Sequence, residues 1–259
     1  MRLPSAEQLN DDRRSRIAIQ LAFFALFLVA WELYGRLRNP LILPPVSMVM
    51  EAFWDLLSSG RLIEAGLPSL QLLGIGFVLG ISLAMVLGVL IGRSRVADLT
   101  FSPYLAAMYA TPSVALVPII LVWFGFGTTG KVLVVFESAF FPMLYNVTTG
   151  VRAAPTDLID VAKSFGASRL KTLFQVILPS AIPFIFAGLQ LSIGRAVVGM
   201  AVAEVYLRLG GIGGLISAFG SRFITDYLIA AILILPALGI GLTRLVGVLE
   251  RRIAPWRTV

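Results

Sequence analysis

The sequence predicts an all-α integral membrane protein with six transmembrane helices. Hydrophobic residues make up 58% of the 259 residues and charged residues only 14%, against roughly 25% charged residues in soluble domains. Apolar runs recur along the chain, and each is close to the ~20 residues that cross ~30 Å of hydrocarbon. The basic residues are also unevenly distributed between the connections on the two sides of the predicted membrane. Because a soluble fold of this length has too little interior for so much apolar surface, we expect the runs to face lipid or one another.

The six predicted spans are separated by short polar segments. They cover residues 17–34, 69–92, 102–124, 132–151, 177–203 and 227–249. The first run is long and has no small-residue cleavage site at its end, so it is interpreted as a true span and not as a signal peptide. We therefore predict a transmembrane domain over residues 17–250, with short tails at residues 1–16 and 251–259.

The distribution of Lys and Arg predicts the orientation of the chain. Fourteen of the 21 basic residues lie in segments on the side of the N-terminus, six lie on the opposite side, and Arg195 lies within a span. Basic residues are enriched in cytoplasmic connections. This bias predicts that both termini and the connection at residues 153–176 are cytoplasmic.

Two connections on the opposite side are longer than turns. In the first, Pro45 is suited to open a short helix, and Val49, Phe53, Leu56 and Leu57 follow at amphipathic spacing. The second, residues 204–226, is rich in glycine and partly apolar. We expect the first to rest at the outer interface and the second to form a re-entrant or interfacial piece.

The second span carries small residues at four-residue intervals. These are Gly76, Gly80, Ala84, Gly88 and Gly92. Such a stripe allows helix backbones to approach closely in lipid, although glycine is also simply common in membrane helices. We favour a packing role, in which the partner helix belongs either to this chain or to another.

The connection at residues 153–176 has the pattern of two short helices joined at Gly166. Pro155 suits the first turn of a helix, Gly166 can supply the left-handed residue that ends it, and Ser168 can cap the next helix. Apolar residues repeat at helical spacing on both sides of the hinge, at Leu158, Val161, Ala162 and Phe165, and at Leu170, Leu173, Phe174 and Ile177. Two interpretations stay open: an amphipathic connector lying on lipid headgroups, or a plug for a groove on a soluble partner.

This stretch resembles the EAA motif of binding-protein-dependent ABC importer permeases. That motif reads Glu-Ala-Ala, three residues, Gly, nine residues, Ile, one residue, Leu-Pro. The matching positions are Asp160, Val161, Ala162, Gly166, Val176, Leu178 and Pro179, and the three departures are conservative. The likeness extends over about residues 43–256. The segments LPPVSMVM, ATPSVALVPIILVWFGFGTTGK, FFPMLYNVTTGVR and AGLQLSIGRAVVGMAVAE are similar to the sulfonate, taurine and nitrate branch of that family.

The resemblance implies a type I ABC importer permease fold in a bacterial inner membrane. It further implies a second permease subunit, identical or different, two ATP-binding cassette ATPase subunits, and an extracytoplasmic binding protein that delivers a small polar solute such as a sulfonate, taurine or nitrate. The ATPase would dock on the connection between the fourth and fifth spans. The implied coupling residues are Asp160, Val161, Ala162, Phe165, Gly166, Ala167, Arg169, Leu178 and Pro179.

The composition argues against chemistry on this chain. It contains no Cys and no His, which excludes thiolate nucleophiles, Cys/His zinc sites and His-based acid–base catalysis. The segment Gly125–Lys131 nearly matches a phosphate-binding loop, but Val132 follows where a Ser or Thr would bind magnesium. We therefore expect no cofactor here, with ATP and Mg²⁺ bound by the partner ATPase, and we interpret the basic residues as flanking spans and not as binding nucleic acid.

Three ionisable residues at membrane depth are candidates for the translocation path: Arg195, Glu137 and Glu204. Arg195 and Glu137 have two interpretations, a mutual ion pair across helices or, for Arg195, a ligand for an anionic solute. Glu204 is expected either to close or line the outer mouth or to be an interfacial residue. Trp123, Phe124 and Phe126 are interpreted as an interfacial aromatic belt.

The main alternative is a self-sufficient secondary transporter or channel. Such a protein needs ion-coupling groups in broken helices, usually in paired halves, and the sequence shows few intramembrane carboxylates and no inverted repeat. An intramembrane enzyme is disfavoured by the missing His and Cys.

Overall fold

All regular structure in the described part of the chain is helical. The computed structural model describes residues 13–207 and 210–254. The helices are α1 (Arg13–Leu37), α2 (Val46–Ser58), α3 (Arg61–Arg93), α4 (Arg95–Ala110), α5 (Ser113–Phe124), α6 (Thr128–Arg152), α7 (Thr156–Ser164), α8 (Arg169–Thr172), α9 (Leu178–Leu207), α10 (Gly211–Ser221) and α11 (Thr225–Ile253), with a π-helical turn at Leu173–Ile177 between α8 and α9.

Five helical segments are long and apolar enough to cross a membrane, and the bent pair of α4 and α5 makes a sixth when it is counted as one span. The predicted fold class is therefore confirmed. Helix α1 begins before residue 17 and α11 continues past residue 250. The rest of the two predicted tails, residues 1–12 and 255–259, lies outside the described residues.

The predicted third span is the one that differs from expectation. The sequence predicted one helix over residues 102–124, whereas the structure has α4 and α5, bent by 97° relative to each other. The break falls at Thr111 and Pro112, both in extended conformation. A residue that precedes proline is pushed out of the helical region, and Pro112 has no N–H to continue the helix.

Helix α6 is the centre of the bundle and packs against α3 on one side and α9 on the other. We call these three helices the spine. The small residues of α3 face α6: a Cβ added to Gly76 would lie 2.6 Å from Val135 Cβ, and one added to Gly88 would lie 2.7 Å from Val147 Cγ1. The packing interpretation of the glycine stripe is confirmed, and the partner helix belongs to the same chain.

Helices α2, α10 and α11 form a second apolar cluster beside the spine. Pro45 precedes α2, as predicted, and Val49 and Leu56 are buried in this cluster with Ala230 of α11. Leu57, placed on the same face by its spacing, is 38% exposed. Helix α10, in the glycine-rich connection, packs against α3, α9 and α11.

Helix α1 lies at the periphery. Glu32 accepts hydrogen bonds from the Ser47 N–H at 3.0 Å and the Ser47 hydroxyl at 2.9 Å, and Trp31 Nε1 donates to the Pro44 carbonyl at 3.1 Å. Most other side chains of α1 that the structure describes are exposed, Phe23 to 73%. In a membrane such a surface faces lipid or another subunit.

Candidate functional site: a helix–glycine–helix knob and polar residues within the spans

Residues 153–176, called the knob below, connect α6 to α9. Helix α7 lies between the candidate spans Thr128–Arg152 and Arg169–Leu207, and the second half of the knob belongs to the latter. Helix α7 begins at Thr156, after Pro155, and has Asp157 in its first turn, where a carboxylate complements the positive helix end. It ends in a Schellman motif: the Gly166 N–H donates to the Lys163 carbonyl at 2.8 Å and the Ala167 N–H to the Ala162 carbonyl at 3.0 Å.

Gly166 supplies the left-handed residue on which this motif depends. Its φ is +74°, a conformation that costs most L-residues roughly 1–2 kcal/mol. The predicted hinge at Gly166 is confirmed. An added Cβ would meet no heavy atom within 4 Å, so the requirement for glycine comes from the backbone and not from a lack of space.

The second half of the knob is continuous with the membrane helix. Ser168 caps α8, since its hydroxyl accepts a hydrogen bond from the Lys171 N–H at 3.3 Å. The chain then passes through the π-helical turn directly into α9, with Leu178 and Pro179 in its first turn. No loop separates the knob from this span.

The knob exposes its apolar side chains. Phe165 is 87% exposed, and four others are more than half exposed: Leu158, Val161, Leu170 and Phe174. Of the four apolar residues predicted to share a face after Gly166, only Leu170 and Phe174 are exposed, because Leu173 is buried and Ile177 is partly buried.

The remaining predicted coupling residues also lie in the knob. Ala162 and Ala167 are partly buried, Arg169 is exposed, and Asp160 forms an exposed ion pair with Lys163 at 2.9 Å.

Arg195 lies in α9 and reaches the end of α4, next to the break at Thr111. Its guanidinium carbon is 4.6 Å from the centroid of the Tyr109 ring, and Nη1 donates to the Tyr109 carbonyl at 3.2 Å. The Tyr109 ring stacks on Tyr145 of α6 with centroids 5.0 Å apart. One cation and two aromatic rings from three helices therefore meet at the break in the third span.

The ion pair between Arg195 and Glu137 that the sequence left open is not formed. Among the described residues, Arg195 makes no ion pair, and the contact of the half-buried Glu137 carboxylate is with the Ser138 hydroxyl at 3.5 Å. The positive charge of Arg195 is instead held against the Tyr109 ring.

Glu204 is 2% exposed and connects three helices. The Ser69 hydroxyl of α3 lies 2.7 and 2.9 Å from its two carboxylate oxygens, and the Gly213 N–H of α10 donates to it at 2.9 Å. Ser69 Oγ also accepts from the Ile212 N–H at 2.9 Å. Glu204 borders a cavity of about 210 Å³ that Gln71 and Lys131 also line.

Two residues of these sites were not predicted from the sequence. Ser69 was only the first residue of the predicted second span, and Tyr109 was one aromatic among many. A hydroxyl within an apolar run is a weak signal, because such groups commonly bond to their own helix. The stacking of Tyr109 depends on the 97° bend in the third span, where Pro112 alone predicts no more than a kink.

The comparisons with known proteins agree with this architecture. Residues 76–255 match the model of the family described as the binding-protein-dependent transport system inner membrane component. The chain is 35% identical over 233 residues to the riboflavin transport system permease protein RibX of Chloroflexus aurantiacus, covering 89% of this chain and 87% of that protein. It is 27% identical over 248 residues to the taurine transport system permease protein TauC of Escherichia coli, covering 93% of this chain and 90% of that protein.

A solved structure shares the fold. The crystal structure of an amino acid ABC transporter with histidines superposes with a TM-score of 0.60 at 20% identity, over 77% of this chain and 98% of that chain. The family match covers most of the spans and the whole knob. The chain therefore belongs to the binding-protein-dependent transport system inner membrane components, and it is a multi-pass ABC importer permease.

Proposed function

We propose that this chain forms part of the translocation path for a small anionic solute and that it is driven by an ATPase subunit bound to the knob. The solute is delivered by a binding protein on the opposite side of the membrane, and a second permease subunit completes the path. The observation that carries the proposal is the exposed apolar face of the knob. Its residues Leu158, Val161 and Phe165 lie between two candidate spans and are left uncovered by this chain, and exposed apolar patches of this kind mark interaction sites.

The knob is connected in a way that suits force transmission. At one end α7 follows α6 after three residues, and at the other end the knob runs into α9 through a π-helical turn. Helices α6 and α9 are packed against each other in the spine. Movement of a partner docked on the knob would therefore tilt two central spans together, a rigid-body mode of switching.

The energy for switching must come from the partner. Reversing a bundle population from 1:99 to 99:1 takes about 5.5 kcal/mol of differential binding. Part of this free energy can come from the knob, if one state of the partner buries its apolar face and the other state does not.

Arg195 supports an anionic solute. A guanidinium offers several donors in one plane and matches sulfonate, nitrate or carboxylate oxygens. TauC is named for taurine, which carries a sulfonate, whereas RibX is named for riboflavin. The relatives therefore name several solutes, and the preference for an anion rests on Arg195. Tyr109 and Tyr145 would form one wall of the site.

The test is uptake into liposomes that contain the chain with its ATPase and binding protein, using ethanesulfonate and nitrate as probes. We expect ATP-dependent uptake that Arg195→Ala lowers at least about tenfold, since a charged hydrogen bond contributes about 1.5–3 kcal/mol, and that Arg195→Lys partly restores. Equal uptake by the chain without the ATPase would instead establish a self-sufficient transporter. Loss of Arg195→Ala from the membrane would assign the residue a structural role.

A further inference from the structure

A cavity of about 720 Å³ lies between the knob and the adjoining ends of α3, α4 and α6. It is separate from the exposed apolar face of the knob and from the Arg195 cluster. Its lining holds five cationic side chains and one carboxylate: Arg93, Arg95, Arg152, Lys163, Arg169 and Asp98. Asp98 is bonded to Arg152 at 3.0 Å.

The charge in this cavity is not balanced by the described residues of the chain. Within residues 13–207 and 210–254, Arg93, Arg95 and Arg169 form no ion pair. Lys163 pairs with Asp160, which does not line the cavity. Mutual repulsion of so many cations favours the binding of an anion between them.

Helix ends explain only part of this arrangement. Arg93 and Arg152 are the last residues of α3 and α6, where a cation interacts favourably with the helix dipole. Arg95 is the first residue of α4, a 16-residue helix, where the dipole disfavours a cation. The preference for basic residues at one side of a membrane explains their number, whereas their convergence on one cavity needs a further cause.

We propose that this cavity binds a phosphate group, supplied by the headgroup of an anionic phospholipid or by a soluble phosphate. Arginine guanidinium groups match phosphate oxygens in pairs. The cavity lies where two spans end, at the depth of lipid headgroups. Apolar side chains of Val151, Ile159 and Ile177 line another part of it, which suits the glycerol and first methylene groups of a lipid. A bound phosphate would join α3 and α6 to the knob.

The test uses the full-length chain, purified in detergent and titrated separately with phosphatidylglycerol, phosphatidylcholine and inorganic phosphate in native mass spectrometry. The double variant Arg93→Gln/Arg95→Gln removes two cations that are not part of the predicted coupling set. We expect it to weaken binding of phosphatidylglycerol by about 30-fold, the effect expected for two basic residues near an anionic headgroup. The matched control, Arg251→Gln/Arg252→Gln, removes the same charge from the end of α11, where neither side chain lines the cavity, and should bind as the parent does.

The absence of natural cysteine provides a second readout that does not depend on those arginines. Thr156 lines the cavity, whereas the adjacent exposed Asp157 does not. Phosphatidylglycerol should slow maleimide labelling of the Thr156→Cys variant and leave the Asp157→Cys variant unaffected. Protection by inorganic phosphate alone would identify a soluble anion as the source. If neither probe protects Thr156→Cys, or if both double variants lose binding equally, the proposal is wrong, whether or not the knob binds an ATPase.

Discussion

The spine and the knob are built by the same local rules but use their apolar surfaces in opposite ways. In the spine, α6 side chains of the same chain occupy the space beside the small residues of α3, as Val135 does beside Gly76. In the knob, helices of equally regular pattern leave Phe165 and its apolar neighbours uncovered. The small-residue face of α3 is covered within the chain, whereas this chain leaves the apolar face of the knob exposed.

This difference between the spine and the knob predicts whether a substitution reduces the amount of folded protein or reduces transport. A change in the spine alters contacts that hold the fold, so it should first reduce the amount of folded protein. A change in the knob alters contacts that the isolated chain does not make, so it should leave the folded protein intact and reduce transport. The following variants test this division in order of decreasing effect.

The largest effect is expected for Gly88→Leu in the spine. A Cβ at this position would lie 2.7 Å from Val147 Cγ1 and 3.3 Å from the Thr148 nitrogen. Overpacking costs about 1–3 kcal/mol, and more where backbone must move, so we expect a clearly lower melting temperature and little folded protein in detergent. Gly74→Leu is the matched control, because no heavy atom lies within 4 Å of its added Cβ. Equal loss in both variants would show that close packing is not the cause.

Gly166→Val in the knob is expected to change the stability of the fold less than Gly88→Leu does, but to reduce transport strongly. A β-branched residue at φ +74° is strained, so the Schellman motif should open and re-aim Phe165. We expect ATP-dependent uptake to fall at least about tenfold while the melting temperature stays near that of the parent, since the strain of roughly 1–2 kcal/mol is local. Gly166→Asn tolerates the left-handed conformation better and should retain transport. Normal uptake by Gly166→Val would argue against the knob as the coupling element.

The smallest effect on the fold is expected for Phe165→Ala. The side chain is 87% exposed, so its removal should not change the melting temperature. A buried aromatic anchor at an interface contributes about 2 kcal/mol or more, which corresponds to an approximately 30-fold weaker affinity for the ATPase, measurable by pull-down or calorimetry. Phe23→Ala removes an exposed aromatic residue from α1 and should have no effect on that affinity. A matching loss in the Phe23 variant would mean that general hydrophobicity, and not the knob, binds the partner.

Local patterns predicted much of the two regions. The glycine stripe of α3 and the helix–Gly166–helix pattern can both be recognised from residues close together in the sequence. The stripe follows from helical spacing, and the second pattern depends on the left-handed conformation of one residue. The partner of the glycine stripe was not predictable, because sequence spacing gives a helix face and not the identity of the helix that packs on it.

Two kinds of feature could not be predicted: the size of the bend in the third span and the contacts between residues far apart in the chain. The 97° bend between α4 and α5 arises at Thr111 and Pro112, yet the hydropathy of the segment is continuous across the break, and proline alone does not distinguish a kink from a break. The bonds from Ser69 and Gly213 to Glu204 join residues far apart in the chain, so no local pattern reports them. Glu204 was singled out as a candidate, but its role in joining three helices required the structure.

If an ATPase subunit covers the exposed apolar face of the knob, a photoreactive group placed on that face should cross-link the two chains. The chain contains no cysteine, so a Phe165→Cys variant can be labelled with a photoreactive maleimide and assembled with its ATPase in membranes. We expect illumination to join this variant to the ATPase and to leave an identically labelled Phe23→Cys variant unjoined. Cross-linking of the Phe165 variant to lipid alone, or its labelling by a membrane-impermeant thiol reagent added outside intact cells, would contradict docking of the ATPase on this face.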